Sequence, residues 1–251
     1  MPHFLRGELL TKKVVVDLVG CGGNGSQMLT GLARLSHALQ ALGHPGLHVR
    51  AHDPDTVSEA NLARQLFTRA DVGLHKSLVL THRINAFFGL DWQAYPSAFR
   101  STTRECHFVI VCVDSAAARY EIDQHIHGAA DEPDYLLDLG NRASDGQVIL
   151  GQPRTHITAS EKMAAGHVRL PYPYDVLPEL INVAIPEDDT PSCGLAQALE
   201  RQELFINQAI VTPALQLLWE LFRYGRLSWH GAFVNLKTGR MAPINIQEQP
   251  A

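Results

Sequence analysis

A chain of 251 residues with 45% hydrophobic and 19% charged residues holds enough apolar material for one substantial core. A net charge of −5 gives no broad nucleic-acid footprint, no apolar run approaches membrane-spanning length, and MPHFLRGELL lacks a signal-peptide pattern, so a cytosolic globular protein is expected. The four cysteines, Cys21, Cys106, Cys112 and Cys193, contain no C-x-x-C pair and do not suggest a disulfide framework.

The first predicted element is a strand over residues 14–19, where Val14, Val15, Val16, Leu18 and Val19 make a nearly continuous apolar run typical of burial on both faces. Gly20, Gly22 and Gly25 then fit the G-x-G-x-x-G spacing, with Gly23 as an extra glycine and Asn24 beside it. Glycines let a backbone approach a phosphate, and the helix start that follows offers unpaired N–H groups and a positive dipole end. Met28, Leu29, Leu32, Leu35 and Leu39 give that helix an apolar face. A tight strand-to-helix turn also uses glycine, but strand, loop and helix in this order favour a nucleotide. The second strand, residues 47–51, leads to Asp53, placed as acids that accept hydrogen bonds from a ribose are placed. That arrangement suits NAD, FAD or ATP. Asn61, Arg64, Gln65 and Lys76 add amides and cations that a dinucleotide dehydrogenase does not need, whereas a site that stabilises departing pyrophosphate needs fixed positive charge. Solvated surface charges are the competing account of Arg64 and Lys76.

Residues 73–88 read as a helix with Lys76 in its first turn, and Trp92, Ala94 and Tyr95 as a short strand ended by Pro96. Residues 107–114, HFVIVCVD, form a third clear buried strand. Asp114 at its end either faces a ligand, as residues at strand C-termini do in open α/β sheets, or caps a helix over 115–127; both roles are compatible. Strands are expected at 135–140 and 147–150, joined by a turn, with Asp138 and Asn141 near the edge of the site. Composition changes from 152 to 190, a proline-rich stretch with no sustained period; such segments are usually functional or mobile. Cys193 lies at its end, before a helical pattern over 195–224 that Pro213 kinks or restarts and Gly225 stops. The chain closes on a hairpin around Lys237-Thr238-Gly239.

Gly20-x-Gly22-Gly23-x-Gly25, Asp53-x-Asp55-x-Val57, Asn61-Leu62-x-Arg64-Gln65, Lys76 and Asp114 together resemble the ThiF/MoeB/ubiquitin-activating superfamily of adenylyltransferases. The resemblance implies a Rossmann-like, doubly wound α/β sheet, mostly parallel, with antiparallel strands added at the C-terminal part. It implies a single adenylation domain with its core at 14–150, a crossover loop at about 152–193 and C-terminal helices and hairpin at 194–251. It implies that ATP and Mg2+ bind there and that the C-terminal carboxylate of a small ubiquitin-like protein attacks the α-phosphate. Asp53 would hold the ribose, Asn61, Arg64 and Lys76 the phosphates, and Asp114 the magnesium. Family members often place a trans-acting arginine before the first strand, where Arg6 stands here, and a homodimer is implied. Many also carry two C-x-x-C pairs around zinc; this chain does not, so no zinc is expected. Pro-Ser-Cys-Gly at 191–194 and Leu-Phe-Ile-Asn at 204–207 are similar to ThiF-type proteins of the plasmid-borne PRTRC cassette.

Cys193 has two accounts. A thiol at a helix start can be thiolate-like and take the acyl group as a thioester. Asp188 and Asp189 nearby would oppose a thiolate, and a small buried cysteine is common at helix starts. Two other functional classes stay open at this level. One is an NAD- or FAD-binding oxidoreductase, which leaves Arg64 and Lys76 without a task; the other is a non-catalytic module that recruits a ubiquitin-like partner.

Overall fold

The computed structural model describes residues 2–62, 64–100, 105–127, 132–153, 168–185 and 200–246. Strand β1 (His3–Phe4) pairs with β8 (Arg226–Leu227) in a small antiparallel ribbon. The main sheet contains β2 (Val14–Val19), β3 (Leu47–His52), β4 (Gln93–Tyr95), β5 (Phe108–Val111), β6 (Tyr135–Asn141), β7 (Asp145–Gly151), β9 (Trp229–Asn235) and β10 (Arg240–Asn245). Its spatial order is β10-β9-β7-β6-β5-β2-β3-β4. Strands β4, β3, β2, β5 and β6 are parallel, and β7, β9 and β10 continue the sheet antiparallel. This is the doubly wound, mostly parallel sheet with an antiparallel C-terminal part that the resemblance implies.

Alternation along the strands sorts the core into two layers. Val14, Val16 and Leu18 pack with α1 (Gly23–Ala41), α2 (Lys76–Phe88) and α5 (Ile206–Tyr224). Val19, Val109, Val111 and Leu136 face the other way, onto Ile122 and Ile126 of α3 (Ala116–His127) and onto Tyr172 and Tyr174 around the single turn α4 (Pro173–Val176). From β2 the chain builds outward through β3 and β4, then returns to lay β5 on the opposite side of β2. The winding therefore reverses between β2 and β5, the place where open α/β sheets bind ligands.

Several boundaries differ from the sequence expectation. The second strand runs one residue further, to His52. The helix expected from residue 73 begins at Lys76, because Gly73 takes a left-handed turn at φ 89° and Leu74 returns a carbonyl to the Val57 N–H. The strand expected over 107–114 pairs only from Phe108 to Val111. Residues 186–199, including Cys193, lie outside the described residues. Near the end of the chain, α5 starts at Ile206 and not before, since a non-helical stretch at 202–205 leaves the Glu203 N–H bonded to the Ala143 carbonyl. Pro213 sits inside α5, which continues through it as one helix. Packing of its buried face, with Ile210, Ala214, Leu217 and Leu221, outweighs the one backbone bond a proline cannot donate. Arg6 pairs with Asp134 and Glu8 of its own chain. Among the described residues no helix is long and apolar enough to cross a membrane.

Candidate active site

The glycine loop is compressed between two strands. Gly20 has φ 92°, and a Cβ there would lie 2.9 Å from the Cys112 carbonyl carbon and oxygen at the end of β5. Gly25 is tighter: its Cβ would fall 1.8 Å from the Gly20 carbonyl oxygen. The overlap is with backbone, so no rotamer can relieve it. Gly25→Ala is expected to lose about 3 kcal/mol of stability, the upper range for overpacking, read as a lowered urea midpoint at unchanged m-value. Gly22 is different. The nearest atom to its missing Cβ is Gln65 Nε2 at 3.9 Å, so the loop has room above it.

Asp53 fastens this loop to the end of β3. Its Oδ2 accepts the Cys21 N–H at 2.6 Å and its Oδ1 the Asp55 N–H at 2.8 Å. Burial lifts the Asp53 carboxyl above its ordinary value, against the opposing pull of Lys76 and the two backbone donors. Lys76, at the first position of α2, is mostly buried; its Nζ donates to Asp55 Oδ2 at 2.8 Å, and its charge acts on both Asp53 and Cys21. Burial also drives the Cys21 thiol well above its ordinary value, which makes it a core residue and not a nucleophile.

On the other rim stand Arg64, Gln65 and Asp114. Burial lowers the Arg64 guanidinium, and the charge of the Asp114 carboxylate works against that shift. One Arg64 nitrogen donates to Gln202 Oε1. Its Nε is buried without a partner among the described residues, and so is Gln65 Oε1. Asp114 is exposed, three residues beyond the β5 ladder. The capping of α3 falls to its neighbour: Ser115 Oγ accepts the Ala118 N–H at 3.2 Å, so Asp114 is not consumed by the helix. Asn61 is largely occupied locally, its Oδ1 accepting the Ser58 N–H at 2.8 Å and the Ser58 hydroxyl at 3.1 Å.

Asn24 turns its side chain away from the loop opening, to Asn141 and Asn207. Asp138 does not reach the site edge; it is fully buried and accepts from Arg119 at 3.0 Å and from the Tyr174 hydroxyl at 3.2 Å. Sequence reasoning did not reach Gln202 or the role of Asn207. The available signal for Asn207 was a polar residue within the apolar stripe Ile206, Ile210, Val211 and Ala214.

The residues fit the groups the resemblance implies. Space above Gly22, unpaired N–H groups at the start of α1 and a buried cation at Lys76 suit a polyphosphate. Magnesium commonly uses one or two carboxylates with substrate phosphates supplying the rest, so Asp114 alone is an adequate protein donor. Among the described residues no group of three or more His, Cys, Asp or Glu is placed to hold a metal by itself.

The sequence model of the ThiF family matches residues 6–218, and the chain belongs to that family. Solved structures share its fold at low identity. E. coli MccB matches with a TM-score of 0.61 and 16% identity, covering 96% of this chain and 64% of that one. Selenomethionine PaaA matches with a TM-score of 0.56 and 14% identity, covering 96% and 66%. E. coli MccB with MccA-N7isoASN matches with a TM-score of 0.55 and 16% identity, covering 97% and 66%. The chain thus spans just under two thirds of the length of these neighbours. No curated protein sequence matches it.

Proposed function

We propose that this protein uses ATP and Mg2+ to adenylate the C-terminal carboxylate of a small ubiquitin-like protein. The carrying observation is the set of charged and polar groups around the glycine loop: Lys76 buried and bonded to Asp55 at 2.8 Å on one rim, and on the other Gln65 above Gly22 with Arg64 beside it, the Arg64 Nε and Gln65 Oε1 both buried without a partner among the described residues. Membership of the ThiF family supports the same reading.

In this reading Asp53 orients the ribose while holding the loop, and Gln65 Oε1 supplies an acceptor for a nucleotide N–H or O–H. The partner's carboxylate is already ionised at neutral pH and needs no general base. It attacks the α-phosphorus, the bond to the bridging oxygen breaks, and pyrophosphate leaves with the electron pair. Lys76, Arg64 and the loop amides are fixed before the reaction, so they stabilise the developing charge without reorganising. Asp114 would hold the magnesium, whose contribution is to neutralise phosphate charge. An oxidoreductase would leave this set of groups idle.

Calorimetric titration with Mg–ATP, followed by mass spectrometry of ubiquitin-like proteins incubated with enzyme and ATP, tests the proposal. Binding and an AMP adduct are expected; absence of triphosphate binding would refute it, and binding without any adduct would support a recruiting module. Cys193 belongs to the proposal as acyl acceptor. Cys193→Ala should remove a thiol-sensitive enzyme–partner species while adenylate still accumulates, and persistence of that species would exclude the cysteine. The homodimer is also part of the proposal, and a monomer mass in sedimentation would remove it.

A further inference from the structure

The geometry points to Asn207 as a positioning residue that holds the glycine loop from α5, an inference that rests on the nucleotide reading of that loop. Three asparagines from distant parts of the chain meet at the start of α1. Asn207 Nδ2 donates to Asn24 Oδ1 at 2.9 Å and to Asn141 Oδ1 at 3.2 Å, and Asn24 Nδ2 donates to the same Asn141 oxygen at 3.0 Å. Asn141 Nδ2 is anchored on the Arg142 carbonyl at 3.0 Å, which orients the whole set. Every side-chain N–H2 group in the set has an acceptor, so the cluster ties the glycine loop, the end of β6 and the start of α5 in a single arrangement. Asn207 and Asn24 are 3% and 5% exposed, so water does not compete for these bonds.

The extra glycine of the loop has its explanation here. A Cβ on Gly23 would lie 2.6 Å from both amide atoms of Asn207. Eight residues along α1, Gly31 meets Leu215 in the same way, with a Cβ placed 2.1 Å from Leu215 Cδ1. Leu215 is itself eight residues beyond Asn207. The two helices therefore run parallel and in register, Gly23 and Gly31 of α1 each accepting one side chain of α5. The lower contact is apolar packing. The upper one is an amide set against the first turn that faces the phosphates, and its Oδ1 is buried with no hydrogen-bond partner among the described residues. A leucine would fill that space for packing alone; an amide is needed to grip Asn24 and Asn141.

The test is calorimetric affinity for Mg–ATP at a temperature where every variant is folded, with nucleotide-free melting measured alongside. Wild type that binds no ATP would remove the nucleotide reading itself. Given wild-type binding, Asn207→Ala should weaken Mg–ATP about tenfold, the lower range for removing hydrogen bonds behind a ligand-holding group. A purely structural role would lower the melting temperature and leave the affinity of the folded protein unchanged, and that result overturns the inference. Gly23→Ala should weaken binding at least as much, because its Cβ displaces the amide. The double variant should then resemble Asn207→Ala alone, because the collision has gone; losses that multiply would show two independent effects and would also overturn the inference. Asn141→Ala, at the partly buried end of β6, removes the oxygen that accepts from both Asn24 and Asn207 while leaving the α5 sequence unchanged. It should weaken binding in the same direction, so the inference stays testable if Asn207→Ala does not fold; unchanged affinity in Asn141→Ala would then count against it.

Discussion

Asp114→Ala should lower pyrophosphate exchange by about a hundredfold to a thousandfold, the range for losing one preorganised charge-stabilising group, while leaving stability within about 0.5 kcal/mol of wild type. The separation of the two effects follows from how the residue is held. Asp114 is exposed, lies beyond the β5 ladder, and has no part in capping α3, since Ser115 does that. Its removal leaves no cavity and no unpaired buried group. What it removes is the carboxylate proposed to hold magnesium, whose charge also acts on the Arg64 guanidinium. Exchange is measured with ATP, labelled pyrophosphate and a panel of small ubiquitin-like proteins, and stability by urea titration. A partner-free control is available: Asp114→Ala should bind ATP alone as wild type does, but lose the gain in affinity that Mg2+ brings. Undiminished exchange in the variant would take magnesium away from Asp114 and, with it, part of the proposed site.

Much of this arrangement was legible from local pattern. The apolar run at 14–19 and the glycine spacing gave β2, the loop and the start of α1 at their observed places. The closing hairpin was readable from its turn residues. Strand and helix ends were less readable because a single contact moves them: a left-handed Gly73 delays α2, and the Glu203 N–H taken by Ala143 delays α5. Contacts between distant segments left almost no trace in local sequence. Arg64 reaches Gln202 and Asn24 reaches Asn207, across 138 and 183 residues of chain. Arg6 pairs with Asp134, 128 residues along the chain, a contact that local sequence does not show. One charged residue was visible and went unused. Asp17 interrupts the apolar run of β2, and a carboxylate in a doubly buried strand implies a buried cation.

That cation is Arg50, and Asp17→Asn is expected to cost about 3–5 kcal/mol, the range for breaking a buried ion pair from one side. Asp17 is 3% exposed and Arg50 5%. Arg50 Nε and Nη2 each donate to an Asp17 oxygen at 2.6 Å, and His52 Nε2 lies 3.0 Å from Oδ1, stacked on Tyr95 at 4.8 Å. The exposed pairs, such as Arg6 with Glu8, contribute at most about 1 kcal/mol, so no rearrangement of surface charge can offset this loss. Burial alone would raise the Asp17 carboxyl, but hydrogen bonds from His52 and Arg50 hold it below its ordinary value of 3.8. A carboxyl lowered on folding adds stability that is complete above 3.8 and is lost as pH falls through the lower folded value. Wild type should therefore show an acid limb below about pH 4 that is shallower in Asp17→Asn, which carries no titrating group there. The paired variant Asp17→Leu/Arg50→Leu should recover most of the loss, because it strands neither charge and fills the site with apolar atoms. Urea titrations at pH 7 and across the acid range measure all three. A double variant no more stable than Asp17→Asn would mean that the pair, and not the desolvation of a lone arginine, sets the stability of this half of the sheet.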